Sequence, residues 1–315
     1  MKYKLSLLAV QVVVLFSLIG CVSSAIKHEL GVEYYNLGNA YYKIQSYEKA
    51  IEFFTKSIAQ DSDLIHAHYN LSLALIKQGR GAEADKILLE LLLEEPQNVS
   101  VLQILGYSYF VQRRNKEALA IFDEILELAP EDANALYNIA IILWDQEQTV
   151  EAIDVFEQLL AAVSGSVSDL YFDALFNLGK LYSEMAEPDR ASVYFEQYLE
   201  RKTEDEAAYS LLGESYMDLE RYNKALEVFA QLLELNPNQA GTWFDQAEIL
   251  LTKVEDPIKG LEALVQALSL GFEDEPRIQQ LRNDPGLVDR AAVEEVLQKW
   301  SFPIPDSETG VSASN

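Results

Sequence analysis

Cysteine, histidine and basic side chains are the scarce residues of this 315-residue chain. A single cysteine, Cys21, cannot close an intrachain disulfide, so the fold must rest on a hydrophobic core. The histidines are His28, His66 and His68, and no cysteine cluster joins them. On a helix His66 and His68 point about 200° apart, which prevents them from sharing a metal. Lys plus Arg number 24 against 51 Asp plus Glu, a formal net charge of −27. That charge repels phosphate backbones and anionic headgroups and argues against nucleic acid as a partner. No phosphate-cradling glycine-rich loop and no nucleophile elbow occurs. Acidic neighbours such as Glu94-Glu95 and Glu204-Asp205 are solvated surface in a chain this acidic. Neither a catalytic nor a metal site is expected.

Long apolar runs are also missing, except at the start. Lys2 and Lys4 precede an uncharged stretch from Leu5 to Ile19. Its length falls short of the roughly twenty residues a spanning helix needs and suits the hydrophobic region of an export signal. It leads into Leu18-Ile19-Gly20-Cys21. An aliphatic residue, a small residue and then Cys resembles the lipobox of bacterial lipoproteins, although Ile19 departs from the commoner Ala or Ser. The resemblance implies a signal peptide over 1–20, cleavage before Cys21, a diacylglyceryl group on its sulfur and an acyl chain on the new amino terminus. No other cofactor is implied. Each buried methylene contributes about 0.8 kcal/mol, so several chains together anchor durably. Val22, where Asp is the familiar inner-membrane retention signal, favours an outer-membrane location facing the periplasm. An ordinary signal peptide and an uncleaved anchor helix remain alternatives. Residues 21–30 form the tether.

From Gly31 onward the chain repeats itself every 34 residues, the first property to establish in any long sequence. The first copy reads Tyr34, Leu37-Gly38, Tyr41, Ala50, Phe54. The third returns Leu102, Leu105-Gly106, Tyr109, Ala118, Phe122 and Pro130. The sixth gives Leu212-Gly213, Tyr216, Ala225, Phe229 and Pro237. Copies two, four and five carry weaker versions, at Leu71-Ser72 with Pro96, Ile139-Ala140 with Phe156, and Leu178-Gly179 with Phe195. A degenerate seventh follows at Trp243, Ala247, Leu250 and Gly260. This pattern resembles the tetratricopeptide repeat over residues 31 to about 272. The resemblance implies an all-α fold, a right-handed superhelix of helix-turn-helix repeats, a solenoid that binds proteins rather than an enzyme.

The chemistry of the copies accounts for the pattern. Tyr34, Leu37, Gly38 and Tyr41 fall on one helical face. Gly38 and Ala50 mark a close approach of two helices, and Phe54 is expected to fill the gap against the next copy. Pro96, Pro130 and Pro237 stop the second helices. One pair cannot bury its apolar face alone, so stacking is obligatory. The period slips by five residues near Ser164 to Ser168, which separates repeats 1–4 (31–166) from repeats 5–7 (172–274). Capping helices are expected over 275–300. Asp284-Pro285 reads as a helix start, with Leu287, Val288, Ala291, Ala292 and Val296 on its buried stripe. Residues 301–315, rich in proline and small polar residues, read as a disordered tail.

A second stripe on each first helix is expected to line the inner curve. It comprises Tyr35, Asn39 and Tyr42, then Tyr69 with Leu73 and Ile76. Gln103, Tyr107 and Phe110 follow, then Tyr137, Ile141 and Trp144. The fifth copy supplies Phe176, beyond which the stripe turns polar. Aromatics at this spacing are either core that packs on itself or a groove for an extended or helical peptide with apolar anchors. Asn39 and Asn70 match two elements of the carboxylate clamp of some family members. Tyr35, Ser100 and Ile104 stand where its basic residues are needed, so that function is not expected. The expected role is a membrane-anchored scaffold that binds envelope proteins or peptides, with basic ones favoured by the acidity. The alternative is a small-ligand or transporter-associated binding lipoprotein that uses the aromatic groove.

Overall fold

The computed structural model describes residues 24–164, 168–300 and 302. The expected export signal, Cys21, the centre of the slip at 165–167 and the expected tail apart from Phe302 lie outside them. Among the described residues the chain is helical throughout, with no strand. It divides into two compact units, one through Ser164 and one from Gly165 on.

In the first unit, α1 (24–43) and α2 (Tyr47–Gln60) form a hairpin, followed by α3 (Ile65–Lys77) with α4 (Gly81–Glu94). The hairpins α5 (Val99–Val111) with α6 (Asn115–Leu128) and α7 (Ala133–Asp145) with α8 (Thr149–Ala162) complete it. The second unit holds α9 (Asp169–Glu184), α10 (Pro188–Leu199), α11 (Glu206–Asp218) and α12 (Tyr222–Leu235). It continues with α13 (Ala240–Thr252), α14 (Pro257–Ser269), α15 (Glu275–Asn283) and α16 (Arg290–Lys299). Within each unit a helix packs on its hairpin partner and on the next hairpin, and the first helices also touch each other, α3 on α5 and α5 on α7.

Backbone geometry repeats as the sequence does. The turn inside each hairpin holds one residue at positive φ: Gln45, Gly79, Arg113, Glu147, Ala186, Glu220 and Glu255. The spacing is 34 residues up to Glu147, then 39 to Ala186, 34 to Glu220 and 35 to Glu255. The following N–H closes the first helix by reaching back, as Arg114 N does to Tyr109 O at 2.9 Å and Gln148 N to Leu143 O at 2.9 Å. This left-handed residue with its long backbone bond satisfies a carbonyl that would otherwise be orphaned, and no side chain is needed. Side-chain caps stand at the start of first helices, where Asn98, Asp132, Ser168 and Asp205 each accept from an N–H three residues on.

The recurring spacing of small and aromatic residues is a contact. A Cβ on Gly38 would meet the Phe54 ring at 2.5 Å, and one on Gly106 would meet Phe122 at 2.8 Å. Phe54 therefore seats on the glycine of its own hairpin as well as packing towards the next one. The ring is completely buried, as are Phe122, Phe156, Phe195 and Phe229. Leu71 and Leu75 of the next hairpin share the core that contains Phe54.

The C-terminal cap also corrects the sequence reading. The helix expected at Asp284-Pro285 starts at Arg290 instead. Asp284 ends α15, and its carboxylate accepts from Gly286 N at 2.8 Å and from Lys253 at 3.1 Å. Val288 N donates to Leu251 O at 2.9 Å, which holds this stretch as a turn against α13. Asp289, at φ 47°, caps α16 in its place. Leu287 still faces the core, but Val293 and Leu297 carry the buried side of α16, and Ala291 is exposed.

Candidate functional site

The predicted stripe of the first unit forms a row across α1, α3, α5 and α7. Tyr35, Tyr42, Tyr69, Tyr107 and Phe110 are half-buried and pack along one side onto the core. Tyr35 tilts against Phe54 at 6.0 Å, Tyr42 meets Tyr47 edge-on at 5.4 Å, and Tyr137 meets Phe156 edge-on at 6.0 Å. Ile141 and Trp144 are half-buried on α7. Such rings keep an apolar body and a polar tip, and the tips of Tyr35, Tyr69 and Tyr107 have partners.

The polar tips lace one hairpin to the next. Asn70 donates to Asn39 Oδ1 at 2.6 Å and to the Tyr35 hydroxyl at 3.3 Å. Asn98, the cap of α5, donates to the Tyr69 hydroxyl at 3.0 Å. Lys77 donates to the Tyr107 hydroxyl at 3.0 Å, with its ammonium 5.3 Å from that ring. Gln103 donates to both carboxylate oxygens of Asp132, the cap of α7, at 3.2 and 3.0 Å. The two asparagines that matched a carboxylate clamp bond each other.

Lys77 places a cation in the middle of this row in a strongly acidic chain. Its bond to Tyr107 lifts the Lys77 pKa. Burial pushes the Tyr42 hydroxyl up, and the nearby Lys77 charge opposes that rise. The result is a set of aromatic faces held at fixed spacing, with one positive charge among them. It can take apolar or aromatic side chains and an acceptor group, but it contains no nucleophile with a base.

Sequence reasoning missed Lys77 and Asn98, because their partners lie 30 and 29 residues away. It also missed Asp85, a buried carboxylate that accepts from Ser108 at 2.6 Å, Gln112 at 3.0 Å and Arg114 at 2.9 Å. A signal was available there: Asp85 adjoins Ala84, the small position on the buried face of α4.

In the second unit, Phe176 on α9 meets Phe195 edge-on at 6.0 Å and tilts on Tyr198 at 5.2 Å. Further along, burial raises the pKa of Glu214 and of Asp245. Arg277 from α15 bonds Asp245 and Glu248, both at 2.7 Å, and lies 4.8 Å from the Phe244 ring.

Two clefts accompany these features. One of about 400 Å³ in the first unit is lined by His68, Tyr69, Ile87, Leu91, Glu94 and Asn98, among others. One of about 790 Å³ in the second unit is more apolar, with Trp243, Leu250, Leu261 and Val265 in its walls. Among the described residues no group of His, Cys, Asp and Glu could hold a metal ion, and no helix is long and apolar enough to cross a membrane.

Models of the tetratricopeptide repeat match residues 32–64, 131–204 and 206–239. Over these segments the helical hairpins match the tetratricopeptide repeat. No curated protein matches the chain in sequence. Solved structures with this repeat superpose over most of it. Part of a tetratricopeptide-repeat protein from Cytophaga hutchinsonii does so at TM-score 0.60 and 15% identity, over 78% of this chain and 98% of that one. PilF of Pseudomonas aeruginosa gives 0.55 at 20% identity, over 70% and 99%. YrrB, described as a tetratricopeptide-repeat protein with an unusual peptide-binding site, gives 0.54 at 22% identity, over 61% and 96%. At these identities the likeness shows the fold. Tetratricopeptide repeats generally serve protein–protein interaction, and the matched segments support a scaffold of that kind.

Proposed function

We propose that this chain is a lipid-anchored scaffold of the bacterial cell envelope, tethered through acylated Cys21 and exported to the periplasmic face of the outer membrane. Its partner is an envelope protein that lays an extended or helical segment with apolar anchors on the row from Tyr35 to Trp144. One observation carries the reading: the hydroxyls of Tyr35, Tyr69 and Tyr107 are tied to neighbouring helices while their rings stay half-buried. Binding then costs little side-chain ordering, because the rings already stand in place. YrrB, of the same fold, is described as a peptide binder, in keeping with this use of the repeat.

The test is recovery of a partner by the tagged protein from envelope extracts, with wild type against the double variant Tyr107→Ala, Trp144→Ala. The variant is expected to lose the partner with its helical circular dichroism intact; equal recovery removes the row as the binding face. The anchor has its own test. Metabolic labelling with an alkynyl fatty acid should mark wild type and not Cys21→Ser, and the variant should leave the membrane fraction. An unlabelled wild type removes the lipoprotein reading.

The cleft around Trp243 favours a second reading, a small apolar ligand in the second unit. A metabolite that raises the thermal midpoint of wild type, and not of Trp243→Ala, would support it.

A further inference from the structure

Among the described residues the N-terminal end of the array is open. Along α1, Ile26, Leu30 and Leu37, with Ile44 just past its end, lie within about 40° of one another at 100° per residue. They are exposed at 61, 40, 43 and 70%. Tyr34 and Tyr41 continue the patch towards α2, lying 6.2 and 5.3 Å from the Phe53 ring. In the next three hairpins the residue equivalent to Leu37 is Leu71, Leu105 or Ile139, at 7, 1 and 7% exposure. There the preceding hairpin covers it. The same surface is built for a helical neighbour and has none among the described residues.

We propose that this end face pairs with the same face of a second copy, giving a closed head-to-head dimer. Two observations select that occupant. The far end of the chain is sealed, since Ile278, Val293 and Leu297 of the cap bury Phe244 and Leu264. Head-to-tail growth therefore meets no open end, and a twofold contact of like faces remains. Charge makes the second argument. Residues 24–60 hold four lysines and four glutamates in a chain of net charge −27, so this region can meet its own copy without the repulsion that opposes contact elsewhere.

The flanks fix the alignment. Helical geometry puts Glu29 and Glu33 on the side of the patch away from α2. Lys49 and Lys56 lie on the α2 side, over the rings of Tyr41 and Phe53 at 5.1 and 5.0 Å. Parallel α1 helices bring the acidic flank of one copy to the lysine flank of the other, whereas antiparallel helices set like against like. The dimer is parallel.

Disulfide trapping of the full chain in membranes tests this. Leu30→Cys, Leu37→Cys and Ile44→Cys, each alone, should give on oxidation a dimer that survives SDS and reverts with reductant. The parent chain and Leu93→Cys, at a position 83% exposed elsewhere, should not. Adducts no stronger than those of the parent and Leu93→Cys overturn the proposal. Trapping at Leu37→Cys alone overturns the parallel alignment. Shielding of all three positions from a water-soluble maleimide without any dimer identifies a lipid surface as the occupant, and also overturns it. As a second readout, the protein mass in detergent from light scattering should fall twofold in Leu37→Glu, Ile44→Glu. An unchanged dimer mass in that variant counts against the face.

Discussion

A methyl group on Gly106 would stand 2.8 Å from the ring of Phe122, on the facing helix of the same hairpin. Alanine favours a helix over glycine by about 1 kcal/mol, while overpacking a filled core costs about 1–3 kcal/mol. Phe122 has no solvent-exposed surface and nowhere to retreat, so the clash wins. Gly106→Ala is expected to lose about 1–2 kcal/mol in urea denaturation, from those two opposing magnitudes. Adding Phe122→Leu should recover part of the loss, since the smaller side chain relieves the contact. A double variant no more stable than Gly106→Ala would refute the account.

Gly79 is required for the opposite reason. A Cβ there meets nothing within 4 Å, but the backbone sits at φ +78°. Gly79→Ala should therefore cost about 1 kcal/mol from conformation alone. The equivalent turn residue Glu147 sits at φ 61°, where Glu147→Gly should gain from a few tenths to about 1 kcal/mol. Opposite signs at two matching turns, in the same denaturation assay, check the geometry directly.

These two glycines mark what the sequence makes legible. The period, the hairpins and the buried Phe series are visible because a small residue and an aromatic must recur wherever two helices touch. The left-handed turn residue is hidden, since Gln, Arg, Glu and Ala all occupy it and backbone bonds do the closing. Asp284-Pro285 imitates a helix start, and only the tertiary bond from Val288 to Leu251 reveals a turn. The aromatic row was placed from spacing, but its lacing was not. Lys77 and Asn98 reach their tyrosines from adjacent hairpins, and no periodicity within one helix announces such a pair.

The Asp85 cluster predicts an order of losses. Asp85→Ala removes the shared acceptor of Ser108, Gln112 and Arg114 and should cost about 1–3 kcal/mol, the penalty for stranding buried donors. Arg114→Met leaves Asp85 with two donors, and Arg114 is 40% exposed, so its loss should be the smaller, about 1 kcal/mol. Asp85→Leu combined with Ser108→Ala should regain stability over Asp85→Ala, because a filled apolar site strands fewer polar groups. Urea midpoints that reverse the first two would show that the charge pair, not the hydrogen-bond acceptor, matters most.

Stability of the second unit should fall as pH rises from about 4, the range of an ordinary glutamate, towards neutral. Burial, reinforced by Asp245 and Asp218, raises the Glu214 pKa above its unfolded value, against the opposing effects of Ser210 and Arg277. Burial likewise raises Asp245, with Arg277 opposing and Glu248 adding to the rise. In the window between the unfolded and folded values the folded unit keeps protons that the unfolded chain has released. Unfolding then sheds protons, and stability declines with rising pH until both groups are ionised. Asp284 acts in the opposite sense: its pKa is lowered despite burial, through the Gly286 N–H and Lys253. Its contribution is lost only below the ordinary carboxylate range, outside this window. General repulsion among surface acids also eases on acidification, but salt screens it, and buried groups feel salt less. The separating variant is Glu214→Gln, measured at high salt. It should flatten the fall between pH 4 and 7 and raise the urea midpoint at neutral pH, with little change near pH 4. Parallel pH profiles for wild type and Glu214→Gln would show that Glu214 ionises freely in the folded state.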